Sequence, residues 1–145
     1  MFRPTTSRTT YVPQPRSRPE FFIDRSLARR IVADALRAAG WSVRTHIEVY
    51  GVRDQEVRDV EWLELCGGEG WAVLTMDRRI RYHRVELSAI RRHRVRAFVL
   101  ASGNLSAPDQ ARRFIANAAR IEAACAEPGP SVHMIQADGI VRIFP

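Results

Sequence analysis

Short apolar runs alternate with helical segments along most of the chain, and two of these runs lead into an aspartate. Phe21-Phe22-Ile23 ends directly at Asp24, and Trp71-Ala72-Val73-Leu74 continues through Thr75-Met76 to Asp77. Continuous apolar strands joined by amphipathic helices are typical of a parallel sheet that helices cover on both faces. The carboxyl ends of such strands share one edge, where ligands bind. The pattern therefore predicts an α/β fold with two carboxylates at its ligand-binding edge.

The remaining elements predict a single domain over residues 20–145. We predict helices over 26–39, 54–66, 78–93 and 107–126, and strands over 21–23, 41–44, 71–74 and 95–100. Ser26 is expected to cap the first helix, and Gly67-Gly68 to end the second. Two last strands flank Ala137-Asp138-Gly139 as a hairpin. We therefore expect a three-layer α/β/α fold with a mostly parallel central sheet and a C-terminal hairpin.

Residues 1–19 differ from this domain in composition. They include four arginines and no acidic residue, and so carry four of the seven net positive charges of the chain. Their Pro, Thr and Ser content and the lack of an apolar period predict a disordered tail. A functional interpretation, a basic arm for nucleic acid or a protein partner, stays open beside that one.

The charge of the chain comes entirely from arginine. All 23 basic residues are arginines, and against 16 acidic residues they give a net charge of +7. The guanidinium group suits recognition of phosphate and carboxylate. A polyanion or an acidic protein segment is therefore expected as a partner.

A third acidic group lies on the predicted helix over residues 54–66. It consists of Asp54, Glu56, Asp59, Glu61 and Glu64. A solvated helix face is the ordinary explanation, but Trp62-Leu63 must pack inward, which places the neighbouring acids at the margin of the core. The strand-end carboxylates of Asp24 and Asp77 would repel one another unless one of them stays protonated, and a hard divalent cation such as Mg²⁺ or Mn²⁺, which prefers oxygen ligands, resolves this. The residues themselves leave both interpretations open.

Three segments in this order resemble the PIN-like nucleases, in particular the VapC-type toxins of bacterial toxin–antitoxin pairs. They are Phe21-Phe22-Ile23-Asp24, Asp59-Val60-Glu61-Trp62-Leu63 and Trp71-Ala72-Val73-Leu74-Thr75-Met76-Asp77-Arg78. The resemblance covers residues 21–100. It implies a PIN-like fold and a Mg²⁺- or Mn²⁺-dependent endoribonuclease that cleaves RNA phosphodiester bonds, the toxin of a type II pair.

The same resemblance implies roles for individual residues. Asp24, Asp59 and Asp77 would ligate one or two Mg²⁺ or Mn²⁺ ions, and the metal would activate a water for attack on the phosphodiester. Glu61 would be a further ligand or would orient the water, and Thr75 would hold its hydroxyl near the site. Glu48 is the nearest match to one more acid of the family.

Partners follow from the resemblance as well. It implies an RNA substrate and a cognate antitoxin that covers the active-site region, with a homodimer as a further option and no membrane partner. Eight arginines that follow Asp77 are expected to hold a phosphate backbone or the antitoxin, unless they form an ordinary solvated face: Arg78, Arg79, Arg81, Arg84, Arg91, Arg92, Arg94 and Arg96. We expect a cytoplasmic protein whose two cysteines, Cys66 and Cys125, are reduced and buried.

Two alternatives stand beside the nuclease. Response-regulator receivers and haloacid-dehalogenase-type phosphotransferases also place an aspartate after the first strand, but both normally use a lysine, and this chain has none. A catalytically inactive PIN-like module that binds RNA or protein is the stronger alternative. Metal binding that depends on Asp24 and Asp77 would distinguish the nuclease from it.

Overall fold

The structure, a computed structural model, describes residues 18–145. The predicted tail, apart from Arg18 and Pro19, lies outside the described residues. Within the described part no helix has the length and apolar character needed to cross a membrane. Cys66 and Cys125 are both free and buried, as predicted.

A single six-stranded sheet forms the middle layer. Its strands are β1 (Glu20–Ile23), β2 (Ser42–Thr45), β3 (Ala72–Thr75), β4 (Arg96–Leu100), β5 (Ser131–Gln136) and β6 (Gly139–Phe144). They lie in the order β2-β1-β3-β4-β5-β6. All neighbours are parallel except β5 and β6, which form an antiparallel hairpin. The predicted parallel sheet with a terminal hairpin is confirmed.

Seven α-helices of the described region form the outer layers. They are α1 (Arg29–Ala38), α2 (His46–Tyr50), α3 (Asp59–Glu69), α4 (Arg79–Tyr82), α5 (Arg84–His93), α6 (Ala107–Ala116) and α7 (Ala118–Cys125), and a 3-10 segment (Gly51–Glu56) follows α2. Side chains of the strands alternate between the two faces. Phe21 and Ile23 pack with α1, α6 and α7, whereas Phe22 packs with α3, α4 and α5. The sheet thus separates two apolar cores, as a three-layer fold requires.

The first helix begins later than Ser26 because Ser26 has another function in the structure. Helix α1 begins at Arg29 and has no side-chain cap from its own segment. The buried Gln110 of α6 accepts a hydrogen bond from the Ala28 backbone N–H (3.0 Å) instead. Residues 24–28 are therefore free to form an irregular turn at the end of β1.

The acidic helix also has different bounds from those predicted. Residues 54–56 belong to the 3-10 segment, and Asp54 is buried at 2.6 Å from the His46 ring. Val57 and Arg58 are extended, so α3 begins at Asp59. The acids predicted to share one helix face are consequently divided between two elements, and only Asp59, Glu61 and Glu64 remain on α3.

The Gly67-Gly68 pair lies inside α3 and does not end it. The helix continues to Glu69, and Gly70, with φ of 76°, provides the left-handed C-terminal residue. A Cβ atom at position 67 would lie 2.3 Å from the His93 carbonyl oxygen, whereas one at position 68 would meet nothing within 4 Å. Gly67 therefore allows α3 and α5 to approach closely, which a sequence pattern for helix ends does not reveal.

These two neighbouring glycines give a matched pair of substitutions. Gly67→Ala should destabilise the fold by about 1–3 kcal/mol, because the new methyl group overpacks the contact with α5. Gly68→Ala should stabilise it by about 0.5–1 kcal/mol, because alanine favours the helix and the position is open. Urea unfolding of both variants measures this difference. Equal effects of the two substitutions would contradict the assigned helix contact.

Candidate active site

The ends of β1 and β3 lie side by side and place polar groups at one edge of the sheet. Ile23 pairs with Leu74, so the next residues along the two strands, Asp24 and Thr75, are neighbours. An open cleft of about 480 Å³ lies over this edge. Its lining consists of Asp24, Arg25, Ser26, Gln55, Asp59, Trp62, Asp77 and Arg79. The three predicted aspartates therefore meet at one cleft, with Thr75 directly beneath it.

Asp24 is the buried centre of a hydrogen-bond network that ties the two strand ends together. Its Oδ2 accepts from the Thr75 hydroxyl (2.6 Å), and its Oδ1 accepts from the Ser26 hydroxyl (2.6 Å) and backbone N–H (2.9 Å). The two hydroxyl oxygens in turn accept from the backbone N–H groups of Asp77 (2.9 Å) and Met76 (2.7 Å). Both hydroxyl protons are directed to Asp24, so the carboxylate holds the two turns in place.

This network leaves Asp24 without a neighbouring positive charge. The residue is 3% exposed, and no basic group of the described region forms an ion pair with it. Burial raises its pKa from 3.8 to about 6, although the hydrogen bonds from Ser26 and Thr75 oppose the shift. An oxygen of a carboxylate has two lone pairs, and only Oδ2 has one unused. Asp24 is thus a buried carboxylate with one oxygen available to a cation.

Asp59 lies at the first turn of α3 and faces the cleft. Its Oδ1 accepts from the Trp62 indole N–H (3.1 Å), which fixes the orientation of the carboxylate. Its Oδ2 is buried and has no hydrogen-bond partner. Burial raises the pKa of Asp59, the charge of Arg79 opposes that shift, and the charge of Asp77 adds to it. The unsatisfied oxygen marks a position where a further positive group would be favourable.

Asp77 differs from the other two aspartates because an arginine is hydrogen-bonded to both of its carboxylate oxygens. Arg79 Nη2 donates to its Oδ2 (2.8 Å), and the Arg79 backbone N–H donates to its Oδ1 (2.9 Å). Burial acts to raise the pKa of Asp77, but these hydrogen bonds and the guanidinium charge outweigh it and hold the pKa below its ordinary value. Asp77 is therefore ionised over a wide pH range.

Glu86 is an acidic residue of this region that the sequence pattern missed. It is buried in the first turn of α5, with its Oε1 2.5 Å from the His83 ring Nδ1. Its carboxyl group also reaches Asp59 and adds to the raised pKa of that residue. Because α3 packs against α5, residues 27 positions apart meet. The one available signal was a lone acid at an inward position of an arginine-rich helix.

Two acids predicted for the site lie outside the cleft. Glu61 accepts a hydrogen bond from the Arg58 backbone N–H (3.0 Å) and faces Arg53 across 3.6 Å, so it caps the start of α3. Glu48 forms an ion pair with Arg37 (2.7 Å) and caps α2. The polar loop after β4 contributes no residue to the lining of this cleft either. The acidic residues that were predicted for the site are thus divided between the cleft and the ends of helices.

The arginines after Asp77 do not form one surface. Arg79 lines the cleft, while Arg81 is partly buried and its Nη1 lies 3.4 Å from the Met134 sulfur. Arg96 donates to the Gly70 carbonyl (3.1 Å) at the opposite edge of the sheet. Of the eight arginines predicted to hold a phosphate backbone, Arg79, which lines the cleft, remains a candidate for that contact.

The donor set suits a hard divalent cation. Carboxylate oxygens are the ligands that Mg²⁺ and Mn²⁺ prefer, and Asp24 and Asp59 each present an oxygen with unused capacity. No three acidic, histidine or cysteine side chains of residues 18–145, however, converge as a ready metal-binding group. The Arg79 guanidinium lies between Asp59 and Asp77 and contacts both. The residues fit a metal, provided that this guanidinium moves.

Comparison with known proteins gives two matches. A family model described as a PIN like domain matches residues 19–102, which contain all of the cleft. A Mycobacterium tuberculosis H37Rv protein named "Putative ribonuclease VapC45" is 33% identical over 124 residues, which are 85% of this chain and 90% of that protein. No solved structure matches.

The raised pKa of Asp24 predicts a pH-dependent effect of removing its charge. The folded protein binds the proton more tightly than the unfolded chain does, so the contribution of Asp24 to stability is lost as pH rises from 3.8 to about 6. Asp24→Asn removes this titration, so without added metal the free energy of unfolding of the variant relative to the wild type should rise by about 2 kcal/mol between pH 4.5 and pH 7.5.

Urea unfolding between pH 4.5 and 7.5 measures this difference. Asp34→Asn is the matched control, because Asp34 is exposed on α1 and the same change there should have little effect at any pH. A stability difference between Asp24→Asn and the wild type that stays constant over this pH range would contradict the raised pKa of Asp24.

Proposed function

The chain belongs to the PIN-like domain family, and on this premise we propose that it is a metal-dependent endoribonuclease that hydrolyses RNA phosphodiester bonds. One observation carries the proposal: Asp24, Asp59 and Asp77 line a single open cleft at the carboxyl edge of the sheet. The name of the mycobacterial relative, a ribonuclease, supports the same activity.

We assign the three aspartates as ligands of Mg²⁺ or Mn²⁺. Asp24 would ligate through Oδ2, whose second lone pair is unused, and Asp59 through its Oδ2, which is buried without a hydrogen bond. When bound, the cation supplies an activated water and stabilises the charge that develops on the phosphate. We leave Glu61 out of this set because it caps α3.

The other cleft residues hold these ligands in position. Thr75 and Ser26 keep Asp24 in one orientation, and the Trp62 indole N–H does the same for Asp59. Ligands fixed in advance reduce the reorganisation needed when charge develops in the transition state. We therefore treat Thr75 as a positioning residue of the catalytic site, since its hydroxyl proton points to Asp24.

We further propose that the protein is the toxin of a bacterial type II toxin–antitoxin pair and acts in the cytoplasm. RNA is the substrate, and a cognate antitoxin is the inhibitory partner. The mycobacterial relative's name and the PIN-like family match support this role. In the described region, basic side chains such as Arg25 and Arg79 border the acidic cleft. Such a border suits a phosphate backbone, whose binding weakens as salt concentration rises.

Cleavage of labelled RNA by the purified protein tests the proposal. Mn²⁺ or Mg²⁺ should support cleavage and EDTA should abolish it. Asp24→Asn and Asp77→Asn should each lower the rate by on the order of a hundredfold or more, because each removes a charged ligand that stabilises the metal. Asp34→Asn, an equal change on the exposed face of α1, should retain wild-type activity.

Two results would contradict the proposal. Cleavage that survives both substitutions would place the reaction elsewhere or in a contaminant. A folded protein that neither cleaves RNA nor binds Mn²⁺ would instead be an inactive RNA- or protein-binding module. Circular dichroism of each variant establishes that the fold is intact.

A further inference from the structure

Arg79 contacts two of the three aspartates at once. Its Nη2 lies 2.8 Å from Asp77 Oδ2 and 3.2 Å from Asp59 Oδ2. Its Nε lies 3.2 Å from both carboxylate oxygens of Asp77. Among residues 18–145, no other basic side chain forms an ion pair with either aspartate. Arg79 is therefore the principal counter-ion of this part of the cleft.

The guanidinium contacts the same carboxylates that we assign to the metal. Asp59 Oδ2 is buried, makes no hydrogen bond, and has Arg79 as its ion-pair partner. A divalent cation bound by Asp59 and Asp77 would bring a second positive charge against the guanidinium within a few ångströms. Like charges at that separation repel strongly in a partly buried site. The two cations compete for Asp59 Oδ2 and Asp77 Oδ2, so binding of one disfavours the other.

The structure allows the arginine to leave. The Arg79 side chain is 60% exposed, so its guanidinium can turn into solvent without displacing packed side chains, while its two carboxylate partners, at 14% and 15% exposure, stay in place. The backbone N–H of Arg79 donates to Asp77 Oδ1 by itself, so the start of α4 does not depend on the guanidinium. A divalent cation carries twice the charge in a smaller volume, which favours the exchange.

A released guanidinium would remain at the mouth of the cleft. Arginine presents a planar fork of donors that matches two oxygens of a phosphate group. The same side chain can therefore neutralise carboxylates before the metal binds and neutralise a phosphate afterwards.

We propose that Arg79 is an exchangeable counter-ion: it pairs with Asp59 and Asp77 without metal, is displaced by the divalent cation, and then binds the RNA phosphate beside the scissile bond. The inference rests on the proposed function and adds to it a coupling between metal binding and RNA binding. Metal binding makes the arginine available to the substrate, so the protein holds RNA productively only when the metal is present.

Mn²⁺ titration calorimetry of four proteins tests the exchange. Arg79→Gln should bind Mn²⁺ about tenfold more tightly than the wild type, because no internal cation must be displaced. Arg79→Lys should lie between the two, since lysine keeps the charge but lacks the fork. Arg78→Gln is the matched control. It removes the same charge from the adjacent exposed residue, for which no ion pair exists in the described region, and should change the affinity by less than about twofold.

RNA cleavage at saturating Mn²⁺ tests the second half of the proposal. Arg79→Gln should raise KM for RNA by about tenfold or more, because it lacks the phosphate contact, although it binds the metal more tightly. These two effects have opposite signs. A residue that only supported the fold would weaken metal binding and activity together.

Each outcome decides the matter. Equal or weaker Mn²⁺ binding by Arg79→Gln overturns the exchange, and an unchanged KM overturns the phosphate contact. If Arg79→Gln fails to fold, Arg79→Lys serves in its place, and equal or weaker Mn²⁺ binding by that variant is the contrary result. A different pair of results would refute the metal site itself, and with it the proposed function. These are a wild-type protein that does not bind Mn²⁺, or an Asp24→Asn variant that binds Mn²⁺ as tightly as the wild type.

Discussion

The hydrogen bonds that converge on the buried Asp24 carboxylate organise the edge of the sheet that carries the proposed active site. Thr75 and Ser26 each donate a hydroxyl proton to it, and each accepts a backbone N–H from the turn that follows β3. The turns after β1 and β3 are therefore joined through one side chain. The position of Asp77 depends on this connection, because its backbone N–H is one of the donors. A single buried carboxylate thus provides both a proposed metal ligand and the position of its neighbour.

The electrostatics of the cleft explain why so many acids can lie together. In the described part of the chain, Asp24 has only hydroxyl and backbone N–H partners, and burial raises its pKa. Asp77 is paired with the Arg79 guanidinium, which holds its pKa below the ordinary value. Asp59 lies between these extremes, with an indole N–H on one oxygen and an unsatisfied second oxygen. The cleft therefore retains an excess of negative charge that one guanidinium offsets only in part. A divalent cation is the group whose charge and ligand preference best relieve that excess.

Much of this arrangement could be predicted from the sequence, for identifiable reasons. Asp24 and Asp77 follow apolar strands directly, and parallel topology alone brings such residues to one edge. The place of Asp59 was harder to predict from the sequence, because it depends on the residue at which α3 begins. Glu86 was beyond prediction, since it reaches the site only through the packing of α3 on α5. That packing depends in turn on Gly67, which had the pattern of a helix end but serves a close helix contact. Contacts that depend on the approach of two helices leave little trace in a linear pattern.

Diffraction from crystals soaked in Mn²⁺, measured at the manganese absorption edge, tests whether the three aspartates bind the metal and release Arg79. We expect an anomalous peak within coordination distance of Asp24, Asp59 and Asp77, with the Arg79 guanidinium moved away from both Asp59 and Asp77. A well-ordered crystal with no peak at this cleft, or with the metal bound elsewhere while Arg79 still bridges the two aspartates, would contradict it.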